Sequence, residues 1–463
     1  MIKHLRPTQA PASKPDLYSR LSLPGAAVTQ HRRWASVDAL RAIAALMVLA
    51  SHAEFLGPTQ STTLSRQVSS LGVGVWIFFA ASGYLIAGPF LRALLEGRPL
   101  PPVRRYALRR AVRILPAYWV ALAAILLLAN GSAIAHWWQL PVHALLLQGL
   151  VPGELKNLYL VAWSLGVEAI FYVLVPLGAG AVRRRFGAAP ISVERMIAGV
   201  LVLWIAAVAF SLALAVAFPM HGSRPLPGAV QVLNLVGSLA NFCPGMLIFL
   251  ALTVDRKTDS RLGRRYTAIA ARPLPTLVIA GGLFIVATSA LPFHTNAVAA
   301  AAQGPLFGVA SGLVLIAFLH GEWTRPLAKV FAPIGLASYG VYLWHFAIYT
   351  ALLKHGVAIG PGSGNVAVIV RIAFIAAITV PVAMLSWLLV ERPLLRRTTG
   401  WERRGNASAV VKRHRREPAD PRVLREVSPA SVATSGPVIL RRQSSSVSVG
   451  EPQDLEPVQI RLW

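Results

Sequence analysis

Ser36-Val-Asp38-Ala-Leu-Arg41-Ala-Ile-Ala-Ala-Leu-Met-Val-Leu-Ala-Ser-His52-Ala-Glu54-Phe-Leu-Gly57 carries ionisable side chains through an apolar run long enough to cross a bilayer. Read as a helix, the run places Arg41 and His52 within roughly 20° of one face, about 16 Å apart along the axis. Both can then look into one cavity from different depths. Ionisable groups inside a spanning helix are costly unless paired or hydrated, so they point to a functional site. The competing reading is that Arg41 snorkels to the cytoplasmic headgroups and His52 sits at the opposite interface.

Outward from this stretch, the whole chain reads as membrane-embedded. Hydrophobic residues make up 55% and charged residues 14%, and the mean hydropathy is +0.57, too apolar for a water-soluble chain of 463 residues. The expected fold is all-α, a polytopic transmembrane helical bundle of about ten spans: 38–57, 72–95, 113–129, 159–181, 196–218, 230–252, 274–291, 304–320, 333–354 and 366–390. The net charge of +27 does not point to nucleic acid, because the basic residues gather in short loops and at the C-terminal end.

Arg92 to Arg110, Arg183 to Arg185, Arg256 to Arg272, and Arg325 with Lys329 fall on one side of the expected bundle. Arg66, Lys156 and Arg224 fall on the other. By the positive-inside rule both termini are cytoplasmic.

Residues 1–35 are expected to be a disordered basic segment, 36–397 the transmembrane domain and 398–463 a disordered basic cytoplasmic tail. The N-terminal segment lacks an apolar core, so the first span is expected to direct insertion itself. His136 to Val151, with Trp137, Trp138 and Pro141, is too interrupted to span and is placed outside as an interfacial or re-entrant helix. The single cysteine, Cys243, has no partner for a disulfide or a thiolate metal site. Mid-span aspartates are absent, so no metal is expected.

Four more constellations put polar groups in spans. Gly74, Ser82 and Gly83 permit close approach of another backbone or a ligand, or serve ordinary helix packing. Arg110 and Arg113, one turn apart, can present two guanidiniums to a phosphate-bearing ligand, or simply anchor the cytoplasmic end. Glu168 lies in the apolar fourth span at a depth compatible with His52, as an orienting partner or a solvated interfacial carboxylate. Ser338, Tyr342 and His345 share one helical stripe. Glu391-Arg392-Pro393 ends the last span, where a local ion pair is the simple expectation.

These motifs, in this order, resemble acyltransferase family 3, the integral membrane O-acyltransferases: Asp38-Ala-Leu-Arg41 with His52, Phe78-Phe79-Ala-Ala-Ser82-Gly83-Tyr84, Arg110-Ala-Val-Arg113-Ile-Leu-Pro116, Trp163-Ser164-Leu165 leading to Glu168, Ser338-Tyr-Gly-Val-Tyr342-Leu-Trp-His345, and Glu391-Arg392-Pro393. The resemblance covers roughly residues 35–397. It implies an enzyme of a bacterial inner membrane that moves an acyl group, usually acetyl from cytoplasmic acetyl-CoA, to a hydroxyl of a glycan or related acceptor. Its partners would be acyl-CoA, that acceptor and membrane lipid, with no nucleic acid.

In that scheme His52 is the base or acyl acceptor and Glu168 orients it. Arg41, Arg110 and Arg113 bind the coenzyme, and Ser82, Tyr342 and His345 line the substrate cavity. A histidine suits the chemistry because its unperturbed pKa, about 6.5, lets it deprotonate a hydroxyl near neutrality. The rival is a transporter or flippase that uses the same intramembrane charges without acyl chemistry.

Overall fold

The computed structural model describes residues 28–56, 62–128, 134–154, 158–218, 237–257, 261–289, 297–320, 323–357 and 364–398. Among them there is helix and no strand. Helix α1 (Val28–Ala53) begins inside the segment expected to be unstructured, and residues 1–27 and 399–463 lie outside the described residues.

The remaining helices are α2 (Thr63–Ser69), α3 (Gly74–Leu95), α4 (Val103–Leu128), α5 (Gln139–Ala144), α6 (Ala162–Phe186), α7 (Val193–Ala217), α8 (Cys243–Lys257), α9 (Arg261–Ala270), α10 (Pro273–Ser289), α11 (Ala297–His320), α12 (Thr324–Leu336), α13 (Ser338–Lys354) and α14 (Asn365–Ser386). A π-helical segment, Trp387–Glu391, continues α14.

Among the described residues seven helices are long and apolar enough to cross a membrane, or up to nine if each bent pair counts once. The ten expected segments each meet a helix, but two differ from a straight span. Residues 238–253 form a shorter apolar helix, and 230–236 lie outside the described residues. The stretch 333–354 breaks between α12 and α13, which bend by 63°. Pro333 sits in the last turn of α12 and Ala337 leaves helical geometry at φ −95°, ψ 9°, which stops one helix and lets the next restart. A similar break, of 88°, precedes α10.

The basic stretch around Arg104 to Arg113 is not a loop running into a span: it is the first turns of α4. The segment 134–154 holds only the six-residue α5, with Trp137 exposed.

Helix α1 is the axis of the packing, in contact with α3, α12, α13 and α14. Its Leu40, Ala44, Ala45, Val48 and Leu49 are buried on more than one side. In a bilayer, helices associate through close van der Waals fit more than through exclusion of water, which favours small residues at crossings. Gly335 of α12 shows the extreme, for a Cβ there would lie 1.9 Å from the backbone oxygen of Asp38 in α1. Gly245 of α8 likewise meets the carbonyl of Ala80 in α3, which a Cβ would approach to 1.8 Å.

Candidate active site

Helices α1, α3, α4, α6 and α13 line a cavity of about 60 Å³, room for a handful of waters. Arg41, Arg110, Arg113 and Glu168 all line it, together with Ser82, Tyr172 and Tyr342. The helical period explains how each reaches the cavity. Arg110 and Arg113 lie on one side of α4, and Glu168 and Tyr172, four apart, lie on one side of α6.

Each charge in the cavity has compensation. The Glu168 carboxylate accepts from Ser82 Oγ at 2.7 Å and from the Tyr172 hydroxyl at 2.6 Å. Arg41 pairs with Asp38, one turn below it, at 3.7 Å. Arg110 lies over the rings of Tyr172 and Tyr106, at 5.6 and 5.8 Å from their centres. Arg113 donates to Glu391 at 3.0 Å and lies over Trp387, with both charged groups buried.

That last pair corrects the expectation of a local ion pair at Glu391-Arg392-Pro393. The partner of Glu391 comes from α4, and Trp387 and Glu391, at the two ends of the π-helical segment, both meet Arg113. Arg110 and Arg113 are both buried, and both line the cavity.

The second polar centre lies further along α1. His52 Nδ1 is 3.1 Å from His345 Nε2. His345 is buried, and its Nδ1 lies 3.0 Å from the carbonyl of Val341. Neither imidazole lines the cavity below.

The expected pairing of His52 with Glu168 is therefore not formed. His52 is the penultimate residue of α1, whereas Glu168 lies about 9 Å inside the start of α6, where two hydroxyls already satisfy it. Tyr342 separates the two centres. Its ring meets Phe78 and His345 edge-on, and its hydroxyl donates to the Val161 carbonyl at 2.9 Å beside Ser164, at 2.7 Å. Ser338, the third member of the expected stripe, is fully buried at the start of α13.

Several participants were not singled out from sequence. Tyr339 lines the cavity and anchors α13 to α4 through the carbonyl of Ile114, at 2.9 Å. Beyond the histidines, Arg371 of α14 is wholly buried against Glu54, at 3.3 and 3.4 Å, and Ser65 also donates to that carboxylate. The rule that marked Arg41, a charge inside an apolar run, marks Arg371 equally. In the segment between α4 and α6, His143 and Gln139 both bond Glu154, at 3.1 and 2.8 Å.

Comparison with known proteins gives this arrangement a family. The peptidoglycan O-acetyltransferase OatA of Listeria monocytogenes is 24% identical over 359 residues, 68% of this chain and 49% of its own length. The chain thus spans about half of that relative. The exopolysaccharide production protein ExoZ of Rhizobium meliloti is 26% identical over 333 residues, 70% of this chain and 89% of its own. No solved structure matches. The family profile described as an acyltransferase domain covers residues 34–389, which take in every candidate site residue from Arg41 to His345. This integral membrane chain belongs to acyltransferase family 3.

Proposed function

We propose that the protein is a membrane O-acetyltransferase of a bacterial inner membrane, with residues 36–397 as its catalytic domain. It would take an acetyl group from cytoplasmic acetyl-CoA and transfer it to a hydroxyl of an envelope or secreted glycan. The observation that carries this reading is the stacking of two polar centres along α1, a guanidinium-rich cavity holding Arg41 and, beyond Tyr342, an imidazole pair holding His52. The names of the relatives supply the acyl group and the class of acceptor.

In this mechanism the acceptor hydroxyl gives its proton to His52 as its oxygen attacks the thioester carbonyl. Collapse of the tetrahedral intermediate breaks the carbon–sulfur bond, and the proton on His52 passes to the departing thiolate. Arg41 and Arg110 supply positive potential for the coenzyme's phosphates. Arg113 acts with them while Glu391 holds it in place. Glu168, bonded to Ser82 and Tyr172, fixes the wall of the cavity and balances the arginines.

The test is transfer of radiolabelled acetyl from acetyl-CoA to a polysaccharide acceptor by the full chain in lipid nanodiscs. Transfer that disappears in His52→Ala supports the reading. Acetyl-CoA left unconsumed while a glycan crosses the bilayer would favour the transporter.

A further inference from the structure

His345 does not line the cavity, and the proposed transfer steps give it no part. Its Nδ1 faces a backbone carbonyl, that of Val341, at 3.0 Å. A carbonyl oxygen can only accept, so Nδ1 of His345 carries the proton. In the neutral ring Nε2 is then the lone-pair nitrogen, and the atom it faces is His52 Nδ1, at 3.1 Å. Two lone pairs cannot meet at that distance, so His52 Nδ1 is the donor.

The ring geometry agrees. The imidazole planes are 26° apart with centroids 5.1 Å apart, as two rings meeting edge to edge through their nitrogens require. Phe346 stands edge-on to both rings, at 6.1 and 6.5 Å, and limits their rotation.

We propose that His345 is a positioning residue that fixes His52 as its Nδ1–H tautomer and so makes Nε2 of His52 the nitrogen that takes the proton from the acceptor hydroxyl. The chain of bonds runs from His52 Nδ1–H to His345 Nε2, and from His345 Nδ1–H to the Val341 carbonyl. It holds a base in one orientation as a carboxylate does in a hydrolase triad, but with a neutral partner that a membrane interior tolerates better. When Nε2 takes the proton, the O–H bond breaks and the N–H bond forms. The resulting imidazolium still donates through Nδ1 to His345 until Nε2 returns its proton to the thiolate.

This inference rests on His52 being the base, and the experiment separates the two claims. In ¹⁵N-histidine-labelled protein in nanodiscs, solid-state NMR assigns the His52 signals by their loss in His52→Gln. The expected spectrum at neutral pH is the Nδ1-protonated tautomer, and an Nε2-protonated ring would overturn the proposal whatever the activity.

In kinetics, His345→Leu is expected to lower kcat about 100-fold, with KM for acetyl-CoA within about twofold. His345→Gln, which restores an acceptor, should recover to within about tenfold of the parent. A folded His345→Leu protein with parental kcat, alongside an inactive His52→Ala, would remove His345 and leave His52 as base. Full activity of His52→Ala would remove both.

Discussion

The cavity around Arg41 and the imidazole pair around His52 lie on the same helix, yet they meet the cost of burying polar groups in opposite ways. In the cavity the groups are charged, and each is answered by a counter-charge, a ring face or a pair of hydroxyls: Arg113 by Glu391, Arg110 by Tyr172, Glu168 by Ser82 and Tyr172. At the second centre two neutral rings answer one another, and a backbone carbonyl ends the chain. A full charge in low dielectric needs several partners, whereas a neutral imidazole needs one donor and one acceptor. The first arrangement suits holding an anion and the second suits moving a proton.

The sharpest way to break this contrast is to delete the proposed base. His52→Ala is expected to cut acetyl transfer by about 10²–10⁴-fold while acetyl-CoA binding, measured by calorimetry, stays near the parent value. A loss of binding instead would merge the two centres into one. The next effect falls on stability. Removing Glu391 by Glu391→Ala strands the buried Arg113 guanidinium and should cost about 3–5 kcal/mol, seen as a lower unfolding temperature in detergent. Replacing both partners, as Arg113→Leu with Glu391→Leu, should recover most of that stability but not coenzyme binding.

Gly335→Ala would push a methyl into the Asp38 carbonyl and separate α12 from α1. A loss of about 1–3 kcal/mol is expected, together with reduced activity from the displaced Arg41. Tyr172→Phe removes one of two donors to Glu168 and should cost about 1 kcal/mol with little change in kcat. A large fall in kcat would instead bring Glu168 into the chemistry.

The smallest effect concerns His143, in the segment between α4 and α6. Burial lowers its pKa from the usual histidine value, although the bond to Glu154 works in the other direction. The unfolded segment then binds protons more readily than the folded one. Its stability is complete above about pH 6.5 and declines as pH falls below that value. Fluorescence of the exposed Trp137 should report loosening on acidification, and His143→Gln should flatten the response.

Much of the site was legible one helix at a time. Arg41 and His52 on α1, Arg110 and Arg113 on α4, and Tyr342 and His345 on α13 all follow from the helical period and from charge in apolar sequence. What was not legible is who meets whom. His52 and Glu168 each sit near the same end of a span, but a difference in depth of a few residues gives the first to His345 and the second to Ser82. Arg371 was legible by the same rule as Arg41, but its pairing with Glu54 depends on how α14 packs against the end of α1. The break at Ala337 was signalled by Pro333, though a continuous apolar run hid it.

Hydropathy, helical period and the side on which basic residues gather are properties of neighbouring residues, so the chain by itself determined an all-helical membrane protein and which side chains would be expensive to bury. The partners of those side chains were decided only by the tertiary structure. His52 reaches His345 across 293 positions and Arg113 reaches Glu391 across 278, and contacts at such separations depend on the rotation and depth of whole helices, which close packing at sites such as Gly335 sets.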